Sequence, residues 1–414
     1  MILSLLACTE ELPGLIRGES ALWDHDALPV FHIEFPDEDW EQVLWNNVDV
    51  EDDCATRAYT PATVRFENPE TGETETYEDV GARWRGHASL RAALAGGNEL
   101  PGIKLSFDEY VLDRTFHDVA NFNLLGTEGD YTWMREHLAF ELAGEAGLED
   151  PRAAHALVYV NGEFSGIYPY SEEADDRPFM QAHFPDRAYS LYEAKGYCGD
   201  DFAYLQYRGP DPADYVTIYE PKAGTDDEDT LDDLIPMLEC ASVVSDAEFS
   251  DCLPEHVDID NFLTLIALDH VLPDIDGLVG RAHNFMLMFD RADARFRMYA
   301  WDKDQSFHHE FLSEESSPFD FVFTTNDEFK PVLVDRMQRV FKADYCAKLQ
   351  DVLPLIEPNE FDARVEALAL FLWEPIQADP RANHTDWKYG IQYLMDDNRD
   401  WYDRISVEIA EGCR

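Results

Sequence analysis

Asn161-Gly162 divides two runs, 154–160 and 163–173, rich in Val, Ile, Tyr and Phe. A two-residue type I′ turn needs positive φ at both central positions. Asn-Gly supplies it at least cost, so 154–173 is predicted as a β-hairpin. Strand patterns also occur at 29–35 and 102–107, and a second hairpin is predicted from 56–68 and 75–87 around Pro69-Glu70-Thr71-Gly72. Two helices interrupt this half. One is a short amphipathic stretch at 37–48. The other is 130–147, capped by Asp130 or Thr132 and ended by Gly147. From about 229 the pattern turns helical, over 229–244, 258–272, 343–352, 358–373 and 386–411, with strands only at 283–301. Strands first and helices afterwards predict an α+β fold. The division falls near 172–180, giving a loose lead-in over 1–28, a strand-rich unit over 29–175 and a mainly helical unit over 176–414.

Charge narrows the partners. The chain carries 86 acidic against 31 basic residues, a net charge of −55. Such a field repels nucleic acid and anionic membranes and excludes both as direct partners. It suits a salt-adapted protein or an ordinary acidic surface protein, and the sequence leaves both open. A 45% hydrophobic content with 13% aromatics excludes a disordered chain. In so acidic a protein, any site for an anion must draw on the few lysines and arginines, so their positions are informative.

The first residues and the cysteines bear on location. Leu5-Leu6-Ala7-Cys8 has the form of a bacterial lipobox, in which Cys8 would be lipidated and become the mature N-terminus. The apolar run ahead of it is short and lacks a basic segment, so a chance match also stands. Setting Cys8 aside leaves Cys54, Cys198, Cys240, Cys252, Cys346 and Cys413. An even number without C-x-x-C spacing predicts disulfides rather than zinc, in an extracytoplasmic compartment. Cys240–Cys252 is the simplest local bridge. The expected location is that of a lipoprotein or cell-surface protein, touching a membrane only through Cys8.

The chemistry concentrates in 272–307. Asp276 is followed eight residues on by Asn284, then by two apolar runs, 285–289 and 296–301, and then by Asp302 in Trp301-Asp302-Lys303-Asp304. That is the order in which a kinase presents its base and the two groups that hold magnesium on the nucleotide. In this reading Asp276 takes the acceptor proton, Asn284 and Asp302 hold the metal, and Asp304 is a second ligand or an outer carboxylate. Hard oxygen ligands suit Mg2+ or Mn2+. Lys104 lies mid-strand ahead of the helix carrying Glu136, and a strand Lys held by a helix Glu is the phosphate-binding pair of a kinase. Glu141 and Glu173 are alternative partners. Arg83 and Arg85 beside Gly86, with His87 and Ser89, form a basic turn suited to phosphate. The alternative is an arginine pair solvating a strand end. His308-His309 makes a poor chelate, and Trp84, Trp133 and Trp301 are expected to pack. Each carboxylate taken alone reads as an ordinary acidic loop residue; the ordered set carries the reading.

Five segments in order resemble the CotH kinase family: R-W-R-G-H-A-S-L (83–90) with G-I-K-L-S-F (102–107), N-L-L-G-T-E-G-D-Y-T-W-M-R-E-H-L-A (123–139), Y-V-N-G-E-F-S-G-I-Y-P-Y-S-E-E-A-D (159–175), L-Y-E-A (191–194), and D-I-D-G with H-N-F-M-L-M and Y-A-W-D-K-D (274–304). The resemblance implies a protein-kinase-like two-lobed fold, with a strand-rich N-lobe and a helical C-lobe. It also implies metal-dependent transfer of phosphate from ATP to a protein hydroxyl. Asp276 matches the family's catalytic Asp, Asn284 its metal-binding Asn and Asp302 its metal-binding Asp. The Asp-to-Asn interval is longer than the family's usual one, which leaves Asp274 open beside Asp276. Glu193 stands where many members have Lys, with Lys195 two residues on. Transfer of AMP instead of phosphate, and a surface protein that has lost catalysis, are the competing expectations.

Overall fold

A computed structural model describes residues 22–23, 27–49, 57–86, 90–91, 101–127, 129–185, 187–195, 202–222, 231–312, 316–317 and 331–413. Cys8, Cys54, His87, Ser89, Cys198 and nearly all of the 1–28 lead-in lie outside the described residues.

Among the described residues, seven strands close a barrel. They are β1 (Val30–Glu34), β2 (Thr60–Glu67), β3 (Thr74–Arg85), β4 (Gly102–Ser106), β5 (Asn121–Leu124), β6 (Ala153–Val160) and β7 (Glu163–Glu172), ordered β1-β2-β3-β4-β5-β7-β6. Neighbours are antiparallel except β1 and β6, whose parallel pairing shuts the barrel. The pleat sends alternate side chains inward. Phe31, Ile33, Val64, Phe66, Val80, Ala82, Trp84, Ile103 and Leu105 fill the interior. The same alternation turns Arg83, Arg85 and Lys104 outward. The hairpin predicted at 154–173 is β6–β7, and its turn residues Asn161 and Gly162 have φ of 48° and 82°.

The second sheet is β11 (Arg295–Ala300), β10 (Phe285–Asp290), β8 (Tyr189–Ala194) and β9 (Tyr219–Pro221), in that order and antiparallel. From 229 onward β10 and β11 are the described strands, as expected; β8 and β9 precede that point, where no strand was predicted. β8 takes its ladder from β10 across Tyr189–Glu193, and β9, three residues long, takes its own from β8.

Helices surround this sheet: α1 (Trp40–Trp45), α2 (Arg135–Glu145), α3 (Arg177–His183), α4 (Leu234–Ser242), α5 (Asp246–His256), α6 (Ile259–Val271), α7 (Leu278–Arg281), α8 (Val332–Val340), α9 (Lys342–Val352), α10 (Pro358–Ala378) and α11 (His384–Ala410), with α1 apart at the barrel. α2 begins later than expected because Asp130 ties up the preceding turn. Its carboxylate accepts from the Thr132 amide at 2.8 Å and the Arg135 amide at 3.0 Å. Gly147, at φ 86°, ends the helix as predicted. Bridges join Cys240 to Cys252 and Cys346 to Cys413. No described helix is long and apolar enough to cross a membrane.

One glycine fastens the helical part to the barrel. Gly166 on β7 has φ 133°, and a Cβ there would lie 2.4 Å from Asp379 Oδ2. Just after α10, Asp379 accepts the Ile167 amide at 2.6 Å, and Arg381 lies 4.4 Å from the Tyr168 ring centre. Gly166→Ala combines left-handed strain with this clash. It is expected to cost about 3 kcal/mol of unfolding free energy, measured by urea denaturation.

Candidate active site

The barrel's register builds one wall of the site. Arg83 pairs with Lys104, Lys104 with Asn123, and Asn123 with Ser171, so four polar residues form a row across β3, β4, β5 and β7. Glu173, two residues beyond Ser171, stays beside this row and takes the Lys104 ammonium in a direct ion pair. Asn123 Nδ2 donates to Glu173 Oε2 at 3.1 Å. Burial works to raise the Glu173 carboxyl, but Lys104 holds it down to about 2. The expected Lys104–Glu136 pair is therefore corrected: Lys104 binds Glu173, one of the two alternatives. Spacing along the chain could not reveal this, because β7 comes beside β4 only through β5.

Glu136 turns instead toward the other wall. Arg85 Nη2 lies 2.8 Å from Asp302 Oδ1, and its guanidinium is 5.8 Å from the Trp301 ring centre. Glu136 is 2% exposed, and neither carboxylate oxygen has a hydrogen-bond partner. Burial first, then the Asp302 charge, pushes it up to about 8. Asp304 is driven well above the carboxylate range by burial, then by Asp302 and Glu136. Three carboxyl groups thus crowd one place with Arg85 as the shared cation. Arg83 stacks 5.1 Å from the Tyr59 ring centre. Arg57 stands near Arg83 and Arg85, and burial together with these neighbours lowers its pKa to about 10.

The third side is the turn between α6 and β10. Asp276 has a 17% exposed side chain. Its Oδ2 accepts from Asn284 Nδ2 at 3.3 Å and lies 3.7 Å from His283 Nδ1; its Oδ1 lies 3.3 Å from Arg281. Burial would raise this carboxyl, but His283 and Arg281 hold it below its ordinary value. Asp274 is different: it is fully buried and bound by Lys303 at 2.6 Å. Asn284 and Asp302 both adopt left-handed backbone, φ 51° and 49°. Local strain of this kind is tolerated where it aims a side chain, and Asn and Asp bear it better than most residues.

The structure brings Arg85, Glu136, Asp302 and Asp304 together, sets Asp276 against Asn284, and leaves Lys104 with Glu173. Among the described residues no three His, Cys, Asp or Glu side chains are set as a ready-made metal cage. The crowded carboxyls nevertheless fit a cation, since a positive ion would relieve their repulsion and partner the orphaned Glu136 oxygens. Sequence reasoning missed Arg57, Asp269 and Lys303. A lysine between two aspartates reads as solvent-exposed. The one available hint was that Trp301, two residues earlier, marks a buried direction.

A separate cavity of about 790 Å3 is lined by His137, Phe140, Glu141, Asp150, Glu172 and neighbours; it includes Glu141, the alternative partner that Lys104 does not take, and none of Asp276, Asn284, Asp302 or Asp304. Burial pushes Glu141 and Asp150 each up to about 7, against ordinary values of 4.5 and 3.8. The folded chain therefore keeps two protons that the unfolded chain releases near pH 4. Stability falls as pH rises through that interval, and the loss is complete above about pH 7. Asp150→Asn is expected to shrink the drop in melting temperature between pH 5 and 8 relative to wild type. An equal drop in both would refute the assignment.

A family model described as CotH kinase protein matches residues 103–398. The inner spore coat protein H of Bacillus subtilis (strain 168) is 27% identical over 206 residues, 49% of this chain and 54% of that protein. The matched region thus spans about half the length of that curated relative. Among solved structures, the Helicobacter pylori proinflammatory kinase CtkA overlaps 76% of this chain and 95% of its own, with 9% identity and a TM-score of 0.37. That likeness is too distant to bear on fold or function.

Proposed function

The chain belongs to the CotH kinase family, and on that premise we propose that it is a metal-dependent kinase that moves the γ-phosphate of ATP to a protein hydroxyl. The observation that carries the reading is the meeting of Arg85, Asp302, Asp304 and Glu136, from three distant segments, beside the Lys104–Glu173 pair. In a chain of net charge −55, a polyanion needs such a place. Lys104, Arg83 and Arg85 would bind phosphate oxygens. Asp302, Asn284 and Asp304 would hold Mg2+ or Mn2+, which supplies charge neutralisation when bound. Asp276 orients the acceptor hydroxyl and takes its proton. Glu172–Asp176 reaches the adenine through backbone groups.

The α+β fold is read as two lobes, 29–175 and 176–414, with the cleft between them. The relative's name places it in a spore coat, and by that analogy we assign this chain to a cell surface. Cys8 is the lipid anchor in this reading, and the tether is the stretch ahead of Leu22 rather than all of 1–28, because Leu22 and Trp23 are buried in the barrel core.

The test is incubation of the protein with γ-labelled ATP, Mn2+ or Mg2+ and a generic protein acceptor, with intact mass read on every product. One added phosphate supports the kinase. One added AMP assigns nucleotidyl transfer to the same residues. No transfer and no nucleotide-induced change in melting temperature would overturn the enzymatic reading.

A further inference from the structure

We propose that Lys303 is a positioning residue whose buried ammonium locks the loop carrying Asp276 to the segment carrying Asp302 and Asp304. What the locked loop does rests on the kinase reading above; the lock itself does not. Lys303, Asp269 and Asp274 are all 2% exposed or less. Lys303 Nζ donates to Asp269 Oδ1 at 2.9 Å and to Asp274 Oδ2 at 2.6 Å. Each carboxylate spends its other oxygen on the Asp276 loop. Asp274 Oδ1 accepts the Asp276 amide at 3.0 Å, and Asp269 Oδ2 accepts the Val279 amide at 3.3 Å. Two relays from ammonium to carboxylate to backbone amide thus grip the loop at both ends.

Gly277 shows how closely the loop is drawn down. A Cβ there would sit 2.4 Å from Asp274 Oδ2 and 2.8 Å from Asp269 Oδ2. The two segments also run side by side, the Ile275 amide donating to Gln305 O at 3.1 Å and the His308 amide to Pro273 O at 3.2 Å. Lys303 lies between Asp302 and Asp304 in sequence yet points away from Arg85, into the turn after α6. Lys303 thus joins the two segments from their buried side, while these backbone hydrogen bonds join them along their edges.

A buried ion triad is a poor source of stability, because desolvation offsets most of its Coulomb gain. Apolar residues of similar volume would hold a loop down as well. A triad whose spare oxygens both bind the Asp276 loop is better explained by geometry, since directional hydrogen bonds fix an angle that apolar contacts leave free.

The test compares wild type with Lys303→Met and with Lys303→Met/Asp269→Asn. The single variant strands two buried carboxylates; the double variant keeps the triad's net charge and guards against a failure to fold. Transfer kinetics are measured beside hydrogen exchange of the amides over 274–280. The expected result in the folded variant is turnover lowered about a hundredfold, an unchanged KM for ATP, and faster exchange over 274–280 with the barrel's protection intact. Wild-type turnover would overturn the proposal. So would a loss of turnover matched by equal losses of nucleotide binding and barrel protection, which marks a merely structural lysine. If wild type itself transfers nothing, the kinase reading fails, and exchange alone decides the lock: unchanged protection over 274–280 overturns it.

Discussion

Asp276→Asn is expected to lower transfer by about 10²–10⁴-fold while leaving nucleotide binding in place. The choice between Asp276 and Asp274 turns on access. Asp274 is fully buried, and its two oxygens are occupied by Lys303 and the Asp276 amide. It cannot reach an acceptor without breaking the turn. Asp276 keeps a partly open side chain with Asn284 on one oxygen and Arg281 near the other. Against burial, His283 first and then Arg281 hold its carboxyl below the ordinary value, so it stays ionised. The substitution preserves size and the possibility of accepting from Asn284, so the loop should keep its shape. Single-turnover assays with saturating ATP check the rate, and the nucleotide-induced rise in melting temperature checks binding. Transfer at the wild-type rate would remove Asp276 from the mechanism, and the burial of Asp274 would leave no neighbouring carboxylate to replace it.

Six strands of the barrel were legible because they alternate and because Asn161-Gly162 fixes its own turn; β5, four residues long, reads in the sequence as the start of a loop. The five helices expected beyond 229 were found with shifted ends. α5, α7 and α8 were missed: Pro254 lies inside the first, the second is only four residues long, and the apolar stripe Leu333, Val334 and Met337 of the third was overlooked. β8 and β9 exist through pairing rather than pattern. At the site, motif order singled out Asp276, Asn284 and Asp302, but it could not say what each side chain would meet. Lys104 on β4 meets Glu173 at the end of β7 across one intervening strand, β5. Glu136 meets Arg85 and Asp302 across segments far apart in sequence. Lys303 points away from its acidic neighbours. Such contacts depend on sheet order and on side-chain direction, and neither is written in local spacing.

Asp302→Ala is expected to abolish metal-dependent nucleotide binding and, with it, all transfer. The informative part is what happens without ligand. Asp302 is the direct partner of Arg85 at 2.8 Å, so a simple count of ion pairs predicts a less stable protein. The neighbourhood predicts otherwise. Glu136 is pushed up to about 8 by burial first and by Asp302 second, with Arg85 pulling the other way. Removing Asp302 removes that repulsion and leaves Arg85 free to favour ionised Glu136. Asp304, driven up by the same neighbours, gains as well. A charge-crowded site loses one of its crowding charges, so the ligand-free melting temperature should hold or rise. The increase that Mg2+ and ATP produce in wild type should vanish. Such opposed effects belong to a group kept for binding at the expense of stability. A ligand-induced increase that survives in Asp302→Ala would remove this residue from the metal site. A large fall in ligand-free stability would show that Arg85 and Asp302 form a structural pair rather than a poised one.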